Sequence, residues 1–274
     1  MLSRPIVWRG RPVHSWTEFH DVVKQPDQPL LARLDDYDDS VLVAGCQRSG
    51  TTALARLLKR AKGIADHGFG ADDELDGALL LAGYVARLTD GRHCFQTTYL
   101  NDRYTEYFEH ASFRLIWMLR EPRSAVHSML RNWKRSSATR AVDDCATSTL
   151  AAVSAPRTLL GSWGGPSRLD KACASYVART EQTFALRERL GQRMAVVDYD
   201  DLVVHRDALL PQLCEFAEIP YDPELTRHSH GKSARKGDRL AAWEARHVDD
   251  LCDEVYRKAR ALRTIRAEYG DERK

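Results

Sequence analysis

Apolar residues along the chain gather in short runs of two kinds, divided by charged or turn-forming residues. Ser40–Gly45 reads SVLVAG, an apolar stretch without polar alternation, which predicts a strand buried on both faces of a parallel sheet. Phe113–Leu119 and Met194–Asp198 have the same character. Between them the spacing turns helical: Leu54, Leu57 and Leu58 mark a helix over Thr51–Lys62, and Leu75–Leu88 is a second, strongly apolar one. A third starts near Pro122, where proline is tolerated at the first helical position, and runs through Val126, Met129 and Leu130. Leu169–Leu190 and Val203–Ala217 read as helices too, and Ala241–Arg266 carries Val248, Leu251, Val255, Ala259 and Leu262 on one face. Strands and helices alternating through short turns predict an α/β fold with three layers, a central, mainly parallel sheet flanked by helices. Such sheets bind ligands at the carboxyl ends of their strands.

Two stretches fall outside this alternation. Residues 1–39 mix aromatic and charged positions and end in an acidic turn, as expected of a peripheral N-terminal arm. Residues 136–169 are rich in Ser, Thr, Ala and Gly, the composition of a lid or a substrate-binding insert. With no internal repeat, the expectation is one domain over residues 1–274.

Composition narrows the function classes. Forty-one Lys and Arg against 39 Asp and Glu leave a formal charge of +2, too balanced for a nucleic-acid footprint or an anionic membrane surface. The six cysteines lie far apart without metal-ligand spacing and read as free thiols, so no metal is expected and a reducing cytoplasmic location is. No apolar run reaches the roughly 18–20 residues of a membrane span, so no stable membrane anchor is expected; homodimerisation is left open.

The chemistry concentrates after the first strand. Gly45–Thr52 reads GCQRSGTT, and its glycines and serine let backbone N–H groups converge on an anion at the start of the following helix. The spacing equals that of a Walker A loop, but Thr51 stands at the lysine position and the cation, Arg48, comes three residues earlier. A triphosphatase needs its lysine and a magnesium ion to neutralise several charges. One arginine with hydroxyl and amide donors suits a less highly charged transferred group, without a metal.

At this loop the sequence resembles the PAPS-dependent sulfotransferases, whose donor is 3′-phosphoadenosine-5′-phosphosulfate, in the branch with an R-S-G-T-T phosphosulfate loop. The resemblance implies a P-loop-type sulfotransferase fold. It implies that Arg48 contacts the phosphosulfate, that Ser49, Gly50 and Thr51 lend backbone donors, and that Thr51 and Thr52 add hydroxyls. Gln47 replaces the common proline, and Ala53 stands where small-molecule enzymes often carry a tryptophan beside the adenine. Arg120–Ser128, REPRSAVHS, matches the family's 3′-phosphate motif in spacing and in strand-turn-helix context, which implies that Arg120 and Ser128 hold that phosphate. Tyr199 falls in a segment like the family's Y-E-D-L, beside the adenine, and Arg235, Lys236 and Gly237 resemble its R-K-G element over the 3′-phosphate.

Transfer to a hydroxyl, or to an amine, requires a general base near the sulfur. In the arginine-loop branch a glutamate after the first helix serves, and Glu74 matches it, with Asp72 and Asp73 as neighbours able to exchange roles. Small-molecule members instead carry a K-x-H element before the second strand; here Gln96 and Thr97 occupy that area and His93 is out of place. The expected activity is sulfuryl transfer from PAPS to a small-molecule, lipid or carbohydrate acceptor, releasing PAP. The competing readings are a P-loop kinase or NTPase and a non-catalytic nucleotide-binding member of the fold.

Overall fold

The computed structural model describes residues 6–86, 91–132, 166–227 and 239–267. In chain order, β1 (Val7–Trp8) and α1 (Trp16–Val22) precede β2 (Ser40–Gly45), α2 (Thr51–Leu58) and α3 (Asp73–Leu81). Next come β3 (Val85–Ala86), β4 (Cys94–Gln96), a 3-10 segment (Thr98–Glu109), β5 (Phe113–Leu119) and α4 (Pro122–Asn132). The chain continues with α5 (Arg168–Leu190), β6 (Met194–Asp198), α6 (Tyr199–Val204), α7 (Arg206–Phe216), α8 (Glu224–Arg227) and α9 (Ala242–Ala261).

Four parallel strands form the central sheet in the order β4-β2-β5-β6. Side chains alternate between two cores. Leu42, Ala44, Leu115, Trp117 and Val196 face the side covered by α3, α4, α5 and α9, while Val41, Val43, Ile116, Met118 and Val197 face α2 and α7. The uninterrupted apolar strands follow from this: both faces are covered, so neither needs polar residues. The expected three-layer α/β fold is what the chain adopts.

The register positions the site. Gly45 pairs with Met118, Val43 with Gln96 and Leu119 with Asp198. The residues following each strand, Cys46 onward, Thr97, Arg120 and Tyr199, therefore emerge in one row along the carboxyl edge.

Several boundaries differ from the sequence expectation. The segment expected to be peripheral places Phe19, Leu30, Leu31 and Leu34 in the larger core, and β1 pairs with β3. The helix expected over Leu75–Leu88 starts at Asp73, where the Asp72 side chain accepts from the Glu74 and Leu75 amides. It stops at Leu81 because the Gly83 and Tyr84 amides bond back to Leu80 and Leu79. The helix expected over Thr51–Lys62 ends at Leu58. Val203–Ala217 is split at His205 (φ −116°, ψ 36°), since Asp198 caps an earlier helix, α6. Past α9, Thr264 and Ile265 bond to the backbone of Val196 and cover the outer edge of β6. Of the expected insert over residues 136–169, residues 136–165 lie outside the described residues.

Candidate active site

The turn after β2 is shaped by two glycines. Gly45 has φ +145°, and a Cβ there would stand 2.3 Å from the Met118 carbonyl oxygen of the paired strand. Gly50 has φ +86°, and its Cβ would meet the Tyr199 ring at 2.1 Å. Larger residues fit neither position. Between them Arg48 itself takes a left-handed conformation, φ +70°, uncommon for a residue with a side chain. Gly50 is the N-cap of α2 and supplies no side-chain acceptor, so the first-turn amides of that helix face an open end with positive dipole character. Ser49 is wholly buried and its hydroxyl finds no hydrogen-bond partner among the described residues. A buried orphan hydroxyl costs about 1–3 kcal/mol, and an anion seated in the loop would remove that cost. The loop thus fits a phosphate or sulfate group.

Arg48 and the second motif meet directly although 72–80 residues separate them. Arg48 Nε donates to Ser128 Oγ at 3.1 Å, and Arg120 Nη1 donates to the Arg48 carbonyl at 2.7 Å. The guanidinium of Arg120 lies over the Tyr199 ring, 4.7 Å from its centroid. Tyr176 fixes the backbone beneath, donating its hydroxyl proton to the Arg120 carbonyl at 2.7 Å. Burial works against the charged form of Arg120, and the nearby Asp200 carboxylate opposes that effect. Tyr199 is held between Gly50 and Arg120, beside an apolar groove lined by Ala53, Leu54, Leu57, Leu202 and Val203.

On the other side of the loop a cleft of about 420 Å³ opens between α2, the start of α3 and the turn after β4. Glu74 lines it although only 6% exposed. Its Oε1 accepts the Tyr99 amide at 2.9 Å, and its Oε2 accepts the Gln96 side-chain amide. The same Gln96 nitrogen reaches Thr52 Oγ1 at 3.0 Å and Thr51 Oγ1 at 3.3 Å, so one side chain ties the carboxyl to the phosphate loop. Burial pushes the Glu74 carboxyl up to about 8, against the pull of its amide donors. A group with that affinity exchanges a proton close to neutral pH.

The other acidic candidates are occupied. Asp72 caps α3 with Oδ1 and accepts Trp16 Nε1 at 3.0 Å with Oδ2. Asp73 pairs with Lys59 at 3.3 Å on the rim. His93 is wholly buried among Tyr37, His67 and Phe95 and does not line the cleft. Arg235, Lys236 and Gly237 lie outside the described residues. Sequence reasoning missed Trp16, which stacks on Tyr99 at 4.5 Å, and Arg179, buried on α5; it noted Gln96 only as a departure from a motif. An isolated tryptophan at the start of a short helix, or an arginine inside a helical run, carries no motif.

Among the described residues no cluster of His, Cys, Asp or Glu could hold a metal ion, and no helix is long and apolar enough to cross a membrane. The five described cysteines are buried free thiols.

Among solved structures, the chain is similar to the sulfotransferase domain from the curacin biosynthetic pathway, with 15% identity over 84% of this chain and 92% of that one and a TM-score of 0.45. It is also similar to the sulfotransferase domain from the Synechococcus PCC 7002 olefin synthase, at 13% identity over 81% and 93% with a TM-score of 0.47. A mouse sulfotransferase complexed with PAP is similar at 13% identity over 86% and 93% with a TM-score of 0.43. No family model and no curated protein sequence matches the chain.

Proposed function

We propose that the chain is a sulfotransferase that moves a sulfuryl group from PAPS to a hydroxyl, or less readily an amine, of a small-molecule, lipid or carbohydrate acceptor and releases PAP. The observation that carries the reading is the junction of Arg48, Ser128 and Arg120, which joins two distant phosphate-binding segments into one cationic cradle at the carboxyl edge of the sheet. Two positions suited to an anion, one at the helix start and one at Arg120 and Ser128, suit a nucleotide phosphorylated at both its 5′ and 3′ ends.

PAPS supplies a sulfuryl group already activated on a phosphate leaving group. The residues then divide the work. The N-terminus of α2, with Ser49, Gly50, Thr51 and Thr52, holds the 5′ end, and Arg120 and Ser128 hold the 3′-phosphate. The faces of Tyr199 and Ala53 border the space for the adenine. Arg48 stabilises the negative charge that grows on the departing phosphate; such fixed donors contribute about 3–4 kcal/mol in other acyl- and group-transfer sites. Glu74, the acid on the cleft that is neither a cap nor an ion-pair partner, accepts the acceptor's proton in its carboxylate form. Gln96 and the Tyr99 amide hold its two oxygens while doing so.

The end of β5, adjacent to the loop strand, supports this reading against a kinase or NTPase, because it presents Arg120 where magnesium chemistry calls for a carboxylate. The acid at the end of β6, Asp198, is engaged by Tyr256 and caps α6.

The test is turnover of PAPS in the presence of a chelator, with panels of hydroxyl and amine acceptors and PAP as the measured product. Acceptor-dependent PAP release that disappears in Glu74→Gln supports the proposal. Tight PAP binding with no acceptor-dependent release from any panel contradicts it in favour of a binding module.

A further inference from the structure

Arg179 is among the largest wholly buried side chains, 1% exposed, and sits in the middle of the 23-residue helix α5. A guanidinium in that position is costly to desolvate and calls for a compensating role. Its Nη1 donates to the Thr98 carbonyl at 3.1 Å. That carbonyl belongs to the same peptide group as the Tyr99 N–H, which donates to Glu74 Oε1 at 2.9 Å. Guanidinium, peptide and carboxyl therefore form a chain of two hydrogen bonds sharing one amide unit.

We infer that Arg179 is a positioning residue that acts on Glu74 through the Thr98–Tyr99 peptide, fixing the carboxylate's orientation and favouring its ionised form. This rests on the proposed role of Glu74 as base. A cation on the carbonyl side of an amide draws electrons from the N–H side, so the Tyr99 amide becomes a stronger donor to the carboxylate. The positive charge also acts through space, lowering the carboxyl's proton affinity, whereas Asp72 raises it. Arg48 and Lys59 line the cleft from the loop and α2, and Tyr99 and Tyr107 face Glu74 from the 3-10 segment. Of these groups Arg179 is the buried cation tied to a peptide that holds the carboxyl.

The test uses the full chain with carbon-13-labelled glutamate, the Glu74 carboxyl resonance being assigned by its loss in Glu74→Gln. Titration of that resonance requires no turnover, so it is read whether or not the protein transfers sulfate. In Arg179→Met the midpoint should move up by about one pH unit or more, and in Arg179→Lys, which keeps the charge without the planar fork, by less. PAP affinity should stay within a factor of two in both. If turnover is present, the rising limb of kcat against pH should shift by the same amount with KM for PAPS unchanged. A merely structural arginine would lower Tm and leave the midpoint in place. An unmoved midpoint in Arg179→Met overturns the inference; should that variant not fold, an unmoved midpoint in Arg179→Lys, together with an unmoved Tyr99 amide resonance, overturns it equally.

Discussion

The two ends of the site are built differently. At the loop end, the contacts come from strand termini, the turns that follow them and the helices those turns start: Gly45 to Thr52 after β2, Arg120 after β5 with Ser128 on α4, and Tyr199 after β6. Register brings the strand-end residues together, because the paired strands stop in one row. At the Glu74 end, Trp16, Gln96, Tyr99 and Arg179 come from α1, the end of β4, the 3-10 segment and α5. On the proposed reading, the first end holds the anionic ends of the nucleotide and the second takes the acceptor's proton.

That contrast breaks if a change at one end disturbs the other. The largest effect is expected for Glu74→Gln. Loss of a general base should lower kcat by about 10²–10⁴-fold while calorimetry finds PAP affinity unchanged within a factor of two. A parallel fall in affinity would show that the carboxyl belongs to the loop end. For the wild type, kcat should rise with pH to half its maximum near 8, since the base must be ionised. The stability consequence has the opposite sense. Because the folded-state value lies above the ordinary 4.5, stabilisation by this group is present below that pH and is lost as pH rises through about 8. Glu74→Gln should therefore flatten the decline in Tm between about pH 4.5 and 8.

Arg120→Ala comes next. It removes a charged donor worth about 1.5–3 kcal/mol, so PAP binding should weaken roughly 10- to 100-fold, with Glu74 titrating as before. Gly50→Ala tests the geometry of the turn: a Cβ against the Tyr199 ring in a left-handed conformation should lower Tm by roughly 5–10 °C and weaken PAP binding with it. The smallest effect belongs to Trp16→Ala. Removal of its stack on Tyr99 should raise the acceptor's KM roughly 2- to 10-fold and leave PAP affinity alone. Should PAP affinity fall instead, the aromatic pair serves the nucleotide.

The same contrast explains how much could be read in advance. Ser40–Gly45, Phe113–Leu119 and Met194–Asp198 are strands at the residues the apolar runs mark, because burial on both faces leaves no other pattern. Arg48 stands out by its spacing in the loop after the first of these strands, whereas Arg120, Ser128 and Tyr199 are marked by likeness to family motifs that keep a fixed distance from a strand. β4 is not marked, since CFQ is too short for periodicity to register. Helix ends were missed where capping decides them, as at Leu81 and His205. Glu74 was found by likeness to a family pattern, while its hold on the loop through Gln96 and its tie to Arg179 are long-range contacts that no local spacing encodes.

Calorimetry comparing PAP, AMP and ATP with magnesium tests the central claim most directly. The account predicts that PAP binds without metal and more tightly than either of the others, and that Arg120→Ala removes its advantage over AMP. Tighter binding of ATP with magnesium than of PAP would contradict it.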